Sequence, residues 1–133
     1  MGRKMNWTIK INEEDRYVEI VTSGDADKEG SLNMIKDIMT ASGRSKIKKI
    51  LIDHSNIDSV SGEALEIYDR PKELEKIGVI HGIKVAEVVK PEHDEFFYFL
   101  ETVCRNRGYQ FSIFFDYNSA LEWLLWNNDE DRE

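Results

Sequence analysis

Three short runs in this sequence, KKILID, IKVAEVV and QFSIFF, are each rich in β-branched or aromatic apolar residues, and the stretches between them carry helical spacing. Ile50, Leu51 and Ile52 are consecutive rather than alternating, as expected for a strand covered on both faces. Strands of that kind, joined by helices, run parallel through right-handed crossovers. In WTIKIN, by contrast, Trp7, Ile9 and Ile11 alternate with polar residues. YVEIVT follows after the turn EEDR, so residues 7–22 read as a β-hairpin, which Gly24 and Asp25 break. The predicted order is β-β-α-β-α-β-α-β-α. It implies an α/β fold: a mixed, mostly parallel five-stranded sheet with about four helices and an N-terminal β-hairpin as its antiparallel edge.

The helices follow from local signals. From Asp27 to Thr40, Leu32, Ile35, Ile38 and Met39 recur at helical spacing, and Ser42-Gly43 reads as a stop. A second helix starts near Gly62, with Leu65, Tyr68, Leu74 and Ile77 on one face and Gly78 at its end. Pro71 in its middle predicts a kink or two short helices, because proline lacks the N–H donor and clashes with the preceding turn. In DEFFYFLETVCRNRG, Phe96, Phe99, Leu100, Val103 and Arg107 share one side. Asp94 and Glu95 at its start, Arg105 and Arg107 at its end, complement the helix dipole. Asp116 or Asn118 caps a last helix through SALEWLLW. The reading is a single domain over residues 6–126, with NNDEDRE (127–133) as an acidic disordered tail.

Composition narrows the function classes. A formal charge of −8 argues against a general nucleic-acid binder, which needs a concentrated basic face. Arg44, Lys46, Lys48 and Lys49 form the one basic cluster, read as a solvated connection or, less simply, as a docking patch for an acidic partner. No apolar run approaches the roughly 18 residues of a membrane span. The basic start MGRKMNWTIK lacks the apolar stretch of a secretory signal. A single cysteine, Cys104, cannot form an internal disulfide, and cytoplasmic localisation is the expectation.

The chemistry-bearing residues gather in ILIDHSNIDSVSGEAL, residues 50–65. In a parallel sheet, ligands sit beyond the carboxyl ends of the strands, and Asp53–Gly62 is placed there as a strand-to-helix connection. Ser59 or Ser61 suits a helix cap, and a phosphate on either hydroxyl would be favoured by the helix dipole. Asp53 and His54 are adjacent on a strand, hence on opposite faces, and do not make an acid–base pair. His81 and His93 stand alone, without the ligand spacing of a zinc site, so no metal and no cofactor is expected. Cys104 reads as a small semi-buried apolar residue. In EFFYFL, Phe96, Phe99 and Leu100 are expected to face the sheet while Phe97 and Tyr98 spread around the helix. So wide an apolar face serves as core or contacts a partner or lipid-like ligand through Phe96, Phe97 and Phe99. Trp123 and Trp126 anchor the last helix or offer an aromatic to a dimer partner.

The element order together with ILIDHSNIDSVSGEAL resembles the STAS fold of bacterial anti-sigma-factor antagonists. The second half, IKVAEVV and RNRGYQFSIFFDYNSALEWLL, resembles the divergent SpoIIAA-like branch, also called STAS/SEC14-like. There a Phe-x-Asp strand end runs into an Ala-x-x-Trp-Leu helix, matched here by Phe114 or Phe115, Asp116, Ala120, Leu121, Trp123 and Leu124. The likeness spans residues 6–126. It implies a non-enzymatic module that binds a protein partner, such as a kinase or an anti-sigma-type regulator, with a homodimer in view. The binding face it implies comprises Asp53, His54, Ser55, Asp58 and Gly62 and the following helix. The family's phosphoswitch is Asp-Ser-Ser/Thr-Gly; this chain reads Asp58-Ser59-Val60-Ser61-Gly62, with Val60 inserted. Ser59 and Ser61 are the candidate phosphoacceptors. The alternative is a carrier of a small apolar or lipid-like ligand.

Overall fold

Strands β1 (Asn6–Asn12) and β2 (Tyr17–Ala26) pair antiparallel, with Asn6 opposite Ser23 and Asn12 opposite Tyr17. The computed structural model describes residues 2–61, 64–76, 78 and 82–126. Asn12 holds the turn, its Oδ1 accepting from the Asp15 N–H at 2.8 Å. Contrary to the alternation pattern, β2 does not stop at Gly24 and Asp25 but reaches Ala26. Gly24 has φ of +86°, and a Cβ there would lie 2.3 Å from the Lys4 carbonyl oxygen. Glycine thus lets the strand bulge and pass close under the N-terminal segment instead of ending.

Helix α1 (Lys28–Ser45) begins at Asp27, whose Oδ1 accepts from the Gly30 N–H at 2.7 Å. It continues through Ser42-Gly43, because Ser42 is buried and donates its hydroxyl to the Ile47 carbonyl. The chain leaves the helix at Lys46, in the left-handed region at φ of 61°. Of the basic cluster, Arg44 is therefore helical, Lys46 is the C-cap, and Arg44, Lys46 and Lys48 are exposed.

Strand β3 (Lys49–Val60) is followed by α2 (Ala64–Lys76), β4 (Lys84–Val88), a 3-10 turn over Pro91–His93, α3 (Asp94–Asn106), β5 (Gln110–Phe114) and α4 (Tyr117–Leu125). Pro71 stays inside one helix rather than dividing two. Pro71 and Leu74 are both buried, and that burial offsets the missing hydrogen bond. The expected start near Gly62 and the residue Ile77 lie outside the described residues, as do the side chains of Leu65 and Tyr68.

The sheet order is β1-β2-β3-β4-β5, antiparallel only at the first pair. Two apolar layers flank it. On one face Met34 and Ile38 of α1, Leu74 of α2, and Phe97, Leu100 and Val103 of α3 meet Val18, Ile20, Ile50, Ile52, Val85 and Phe111. On the other, Ala120 and Leu124 of α4 meet Tyr17, Leu51, Ala86 and Val88. Phe97 faces inward, where the sequence pattern had placed it at the flank. Phe96 and Phe99 are the partly buried flanks, because α3 rolls so that positions 97, 100, 103 and 104 meet the sheet.

Asp116 caps α4, accepting the Ser119 N–H at 2.8 Å and the Ser119 hydroxyl at 2.9 Å. These donors hold its carboxyl below the usual range. At the outer edge of β5, Arg105 Nε donates to the Phe111 carbonyl at 2.7 Å, and Glu101 Oε2 accepts the Ile113 N–H at 2.8 Å. One turn of α3 thus occupies two of the backbone groups that an edge strand would otherwise offer.

Candidate functional site

The stretch Asp53–Gly62 is mostly strand, not connection. β4 pairs with β3 only over Lys49–Asp53, so from His54 to Val60 β3 is bonded to β2 alone. β2 stays alongside because it continues past Gly24, bringing Asp25 opposite Ser59 and Ala26 opposite Val60. A parallel two-stranded ribbon therefore projects past the end of β4. The turn signals in Asp58, Ser59 and Gly62 had suggested a loop; pairing with the prolonged β2 overrides them.

Along this ribbon the inward positions are His54 and Ile57, both buried, while Ser55, Asn56, Asp58 and Ser59 are exposed. Asp53 is partly exposed and its Oδ1 accepts the Ser55 N–H at 2.9 Å. Ser59 donates its hydroxyl to Asp25 Oδ1 at 2.7 Å. Asp58 Oδ2 accepts from Arg3 Nε at 3.0 Å and Nη2 at 2.7 Å. The Arg3 carbonyl in turn accepts the Asp25 N–H at 2.9 Å, so the N-terminal segment clasps the ribbon's end. Ser61 donates both its N–H (2.9 Å) and its hydroxyl (3.3 Å) to the Ala26 carbonyl. Gly62 lies outside the described residues.

Of the proposed binding residues that are described, His54 is the one withdrawn from solvent, at 4% exposure. Its Nδ1 is 2.7 Å from the Thr22 hydroxyl, and its ring stacks on Phe97 at 5.1 Å. Nε2 lies 3.5 Å from Glu87 Oε1. Thr22 and Glu87 are buried too, and Arg70 and Cys104 complete this polar interior. Burial, with Glu87 nearby, pushes the Cys104 thiol up to about 12. Such a thiol is a packing residue rather than a nucleophile. Sequence reasoning missed Thr22, Glu87, Arg70, Asp25 and Arg3. Glu87 carried a signal, a carboxylate within the apolar run IKVAEVV; Arg3 and Asp25 carried none.

Phe96 and Phe97, but not Phe99, line a cavity of about 50 Å³ beside this cluster. That volume is a third of the roughly 150 Å³ that admits benzene, and no lipid chain fits it. Among the described residues no group of three or more His, Cys, Asp or Glu could hold a metal ion, and no helix is long and apolar enough to cross a membrane. Trp126 is 64% exposed beyond the end of α4, while Trp123 packs on Phe114 at 5.7 Å.

No protein-family model matches the sequence, and no curated protein matches it. Solved structures do. An uncharacterised protein from the DUF3478 family of Shewanella loihica PV-4, with a SpoIIAA-like fold, is 23% identical over 93% of this chain and 95% of its own, with a TM-score of 0.56. The fold is SpoIIAA-like. An anti-sigma factor antagonist from Mycobacterium paratuberculosis has a TM-score of 0.57 at 13% identity, over 91% of this chain and 94% of its own. On this SpoIIAA-like frame the predicted hairpin, parallel strands and four helices all stand where the element order put them. At these identities the likeness is one of fold.

Proposed function

We propose that this chain is a non-enzymatic cytoplasmic module that binds a protein partner through the outer side of the β2–β3 ribbon and the start of α2. The observation that carries this reading is the ribbon itself. His54 and Ile57 anchor it from inside, while Ser55, Asn56, Asp58 and Ser59 are presented on a strand that β4 leaves uncovered. A rigid strand bearing polar side chains loses little conformational freedom on binding. The SpoIIAA-like fold, shared with a protein described as an anti-sigma factor antagonist, supports a regulatory partner such as a kinase or an anti-sigma-type regulator.

Ser59 is the phosphoacceptor this reading favours, with Ser61 second. A phosphate on Ser59 would end the bond to Asp25 and set a dianion beside that carboxylate and Asp58. The modification would therefore loosen the ribbon's end, with Arg3, already paired to the neighbouring Asp58, a cation that could answer it. Replacing Asp58 or Ser55 with Arg should abolish partner capture from native extract, and Ser59→Asp should weaken it. Glu122→Arg, at an exposed position of α4, should leave it intact. Capture that is indifferent to all three ribbon substitutions removes the ribbon from the binding face. Light scattering on the purified chain tests the homodimer separately.

A further inference from the structure

The apolar layer beneath α1 runs off the sheet at β1. Trp7 and Ile9 are only partly buried there, and Ile11, next on the same side of the strand, is 37% exposed. β1 is the terminal strand, and among the described residues no side chain bonds its backbone. At β5, by contrast, Glu101 and Arg105 hold two backbone groups. An open edge beside unfinished apolar packing is fitted to accept another strand.

The residues of β1 restrict which strand. Laid antiparallel on a copy of itself about Ile9, β1 is paired along all seven residues. Trp7 then meets the second copy's Ile11, and Ile9 meets its own counterpart. Within each copy Ile9 stands opposite Ile20 and Ile11 opposite Val18, so the apolar rows continue unbroken across the seam. On the other side of the strand Lys10 meets Thr8. Pairing about Lys10 instead would set two ammonium groups face to face, and pairing about Thr8 would leave Ile11 without a partner in β1.

Helix α1 fits the same arrangement. It lies over β1 and β2 and runs in the direction of β1. Trp7 Nε1 donates to Asp37 Oδ2 at 2.9 Å, and past the far end of β1 Arg16 Nη2 donates to the Ser45 carbonyl at 3.4 Å. With strands about 4.8 Å apart, two copies of α1 related by the twofold lie about 10 Å from each other, a helix-packing distance. Ile9 is about 7 Å along the strand from Trp7, which is roughly four or five residues of helix. The short residues Thr40, Ala41 and Gly43 therefore cross near the axis. Asp37 and Arg44 share one side of α1 and are both exposed. Antiparallel copies bring Asp37 of each toward Arg44 of the other.

We infer that β1 is the seam of a homodimer, in which two copies pair antiparallel about Ile9, join their sheets into one and set Asp37 against Arg44 across the twofold. The seam is separate from the β2–β3 ribbon and does not depend on the partner proposed there. It sends the two ribbons in opposite directions, so both stay open. One strand and part of one helix a side fall short of the roughly 20–30 residues of a standard interface, so the dimer is weak and reversible.

Sedimentation equilibrium on the full chain should show a monomer at about 5 μM and a dimer approached near about 1 mM. Ile9→Lys, which sets like charges opposite each other at the axis, should weaken association about ten-fold or more. If that variant does not fold, Ile11→Lys, at an exposed position, should act in the same direction. Arg44→Asp should weaken the dimer about three-fold, and combining it with Asp37→Arg should recover that loss. Asp58→Arg, aimed at the ribbon, should leave the dimer unchanged. Three outcomes overturn the seam: a monomer at about 1 mM, association indifferent to the lysine substitutions, or a loss in Arg44→Asp that the charge exchange does not recover.

Discussion

The two faces of the sheet are packed in different ways. Toward α4, Ala86 and Ala120 are small enough for the helix, through its Leu124, to close on Leu51 and Val88. The layer is apolar except at its rim, where the Tyr17 and Tyr117 hydroxyls meet at 2.9 Å and the buried Lys84 ammonium lies over the Trp123 ring. Toward α1, α2 and α3 the same strands bury Thr22, His54 and Glu87, and cavities remain. One face fixes helix to sheet by shape. The other holds polar groups that need donors and acceptors as much as shape, and close packing is given up where they stand.

Neighbouring residues on one strand break this contrast most directly, since they face opposite layers. Leu51→Ala should cost about 4 kcal/mol by urea unfolding, because a tightly filled layer leaves the whole cavity behind. Ile50→Ala should cost less, about 2.5 kcal/mol, because Ile50 already borders a void and has fewer contacts to lose. Equal losses would erase the distinction between the faces. On β4, Ala86→Val should destabilise by about 2 kcal/mol through overpacking. Val85→Ile, which grows into a void of about 60 Å³ beside Ile50 and Leu74, should raise stability by about 0.5 kcal/mol.

Smaller effects sharpen the comparison. With its thiol pushed up to about 12, Cys104 should react with iodoacetamide at pH 8 only as fast as the chain opens, and freely in urea. Fast native labelling would mean that the helix-covered side is not closed over α3. On the α4 side, the Ser119 donors lower the Asp116 carboxyl in the folded state. That contribution is present above the ordinary carboxylate value and is lost as pH falls through the lowered one. Asp116→Ala should therefore flatten the acid limb of melting temperature against pH slightly, the least of these changes.

The α4 side was legible in the sequence because shape and capping are local. Asp116, one of the two cap candidates, follows from helix-start rules, and Ala120 and Leu124 from the resemblance to the Ala-x-x-Trp-Leu helix. The sheet order was legible for a similar reason, since each crossover leaves a strand–helix alternation. The ribbon was not, because β3 is prolonged by pairing with residues some 34 positions away, as in Ser59 with Asp25. Turn-forming residues there report local preference, which tertiary pairing overrode. The polar interior was half legible. Glu87 stood out within IKVAEVV, but nothing nearby in the chain announces that Thr22 and His54 will meet it. The direction in which α3 rolls also needs the whole layer, so Phe97 and Phe99 exchanged their expected roles.

The Glu101 and Arg105 side chains that occupy the outer backbone groups of β5 have a consequence for assembly. A sheet barred on one flank can be lengthened only from the other, so copies meeting strand to strand through β1 would use up their single free flank at once. Growth by that route stops at two molecules unless a strand arriving at β5 first displaces both the Glu101 and Arg105 side chains.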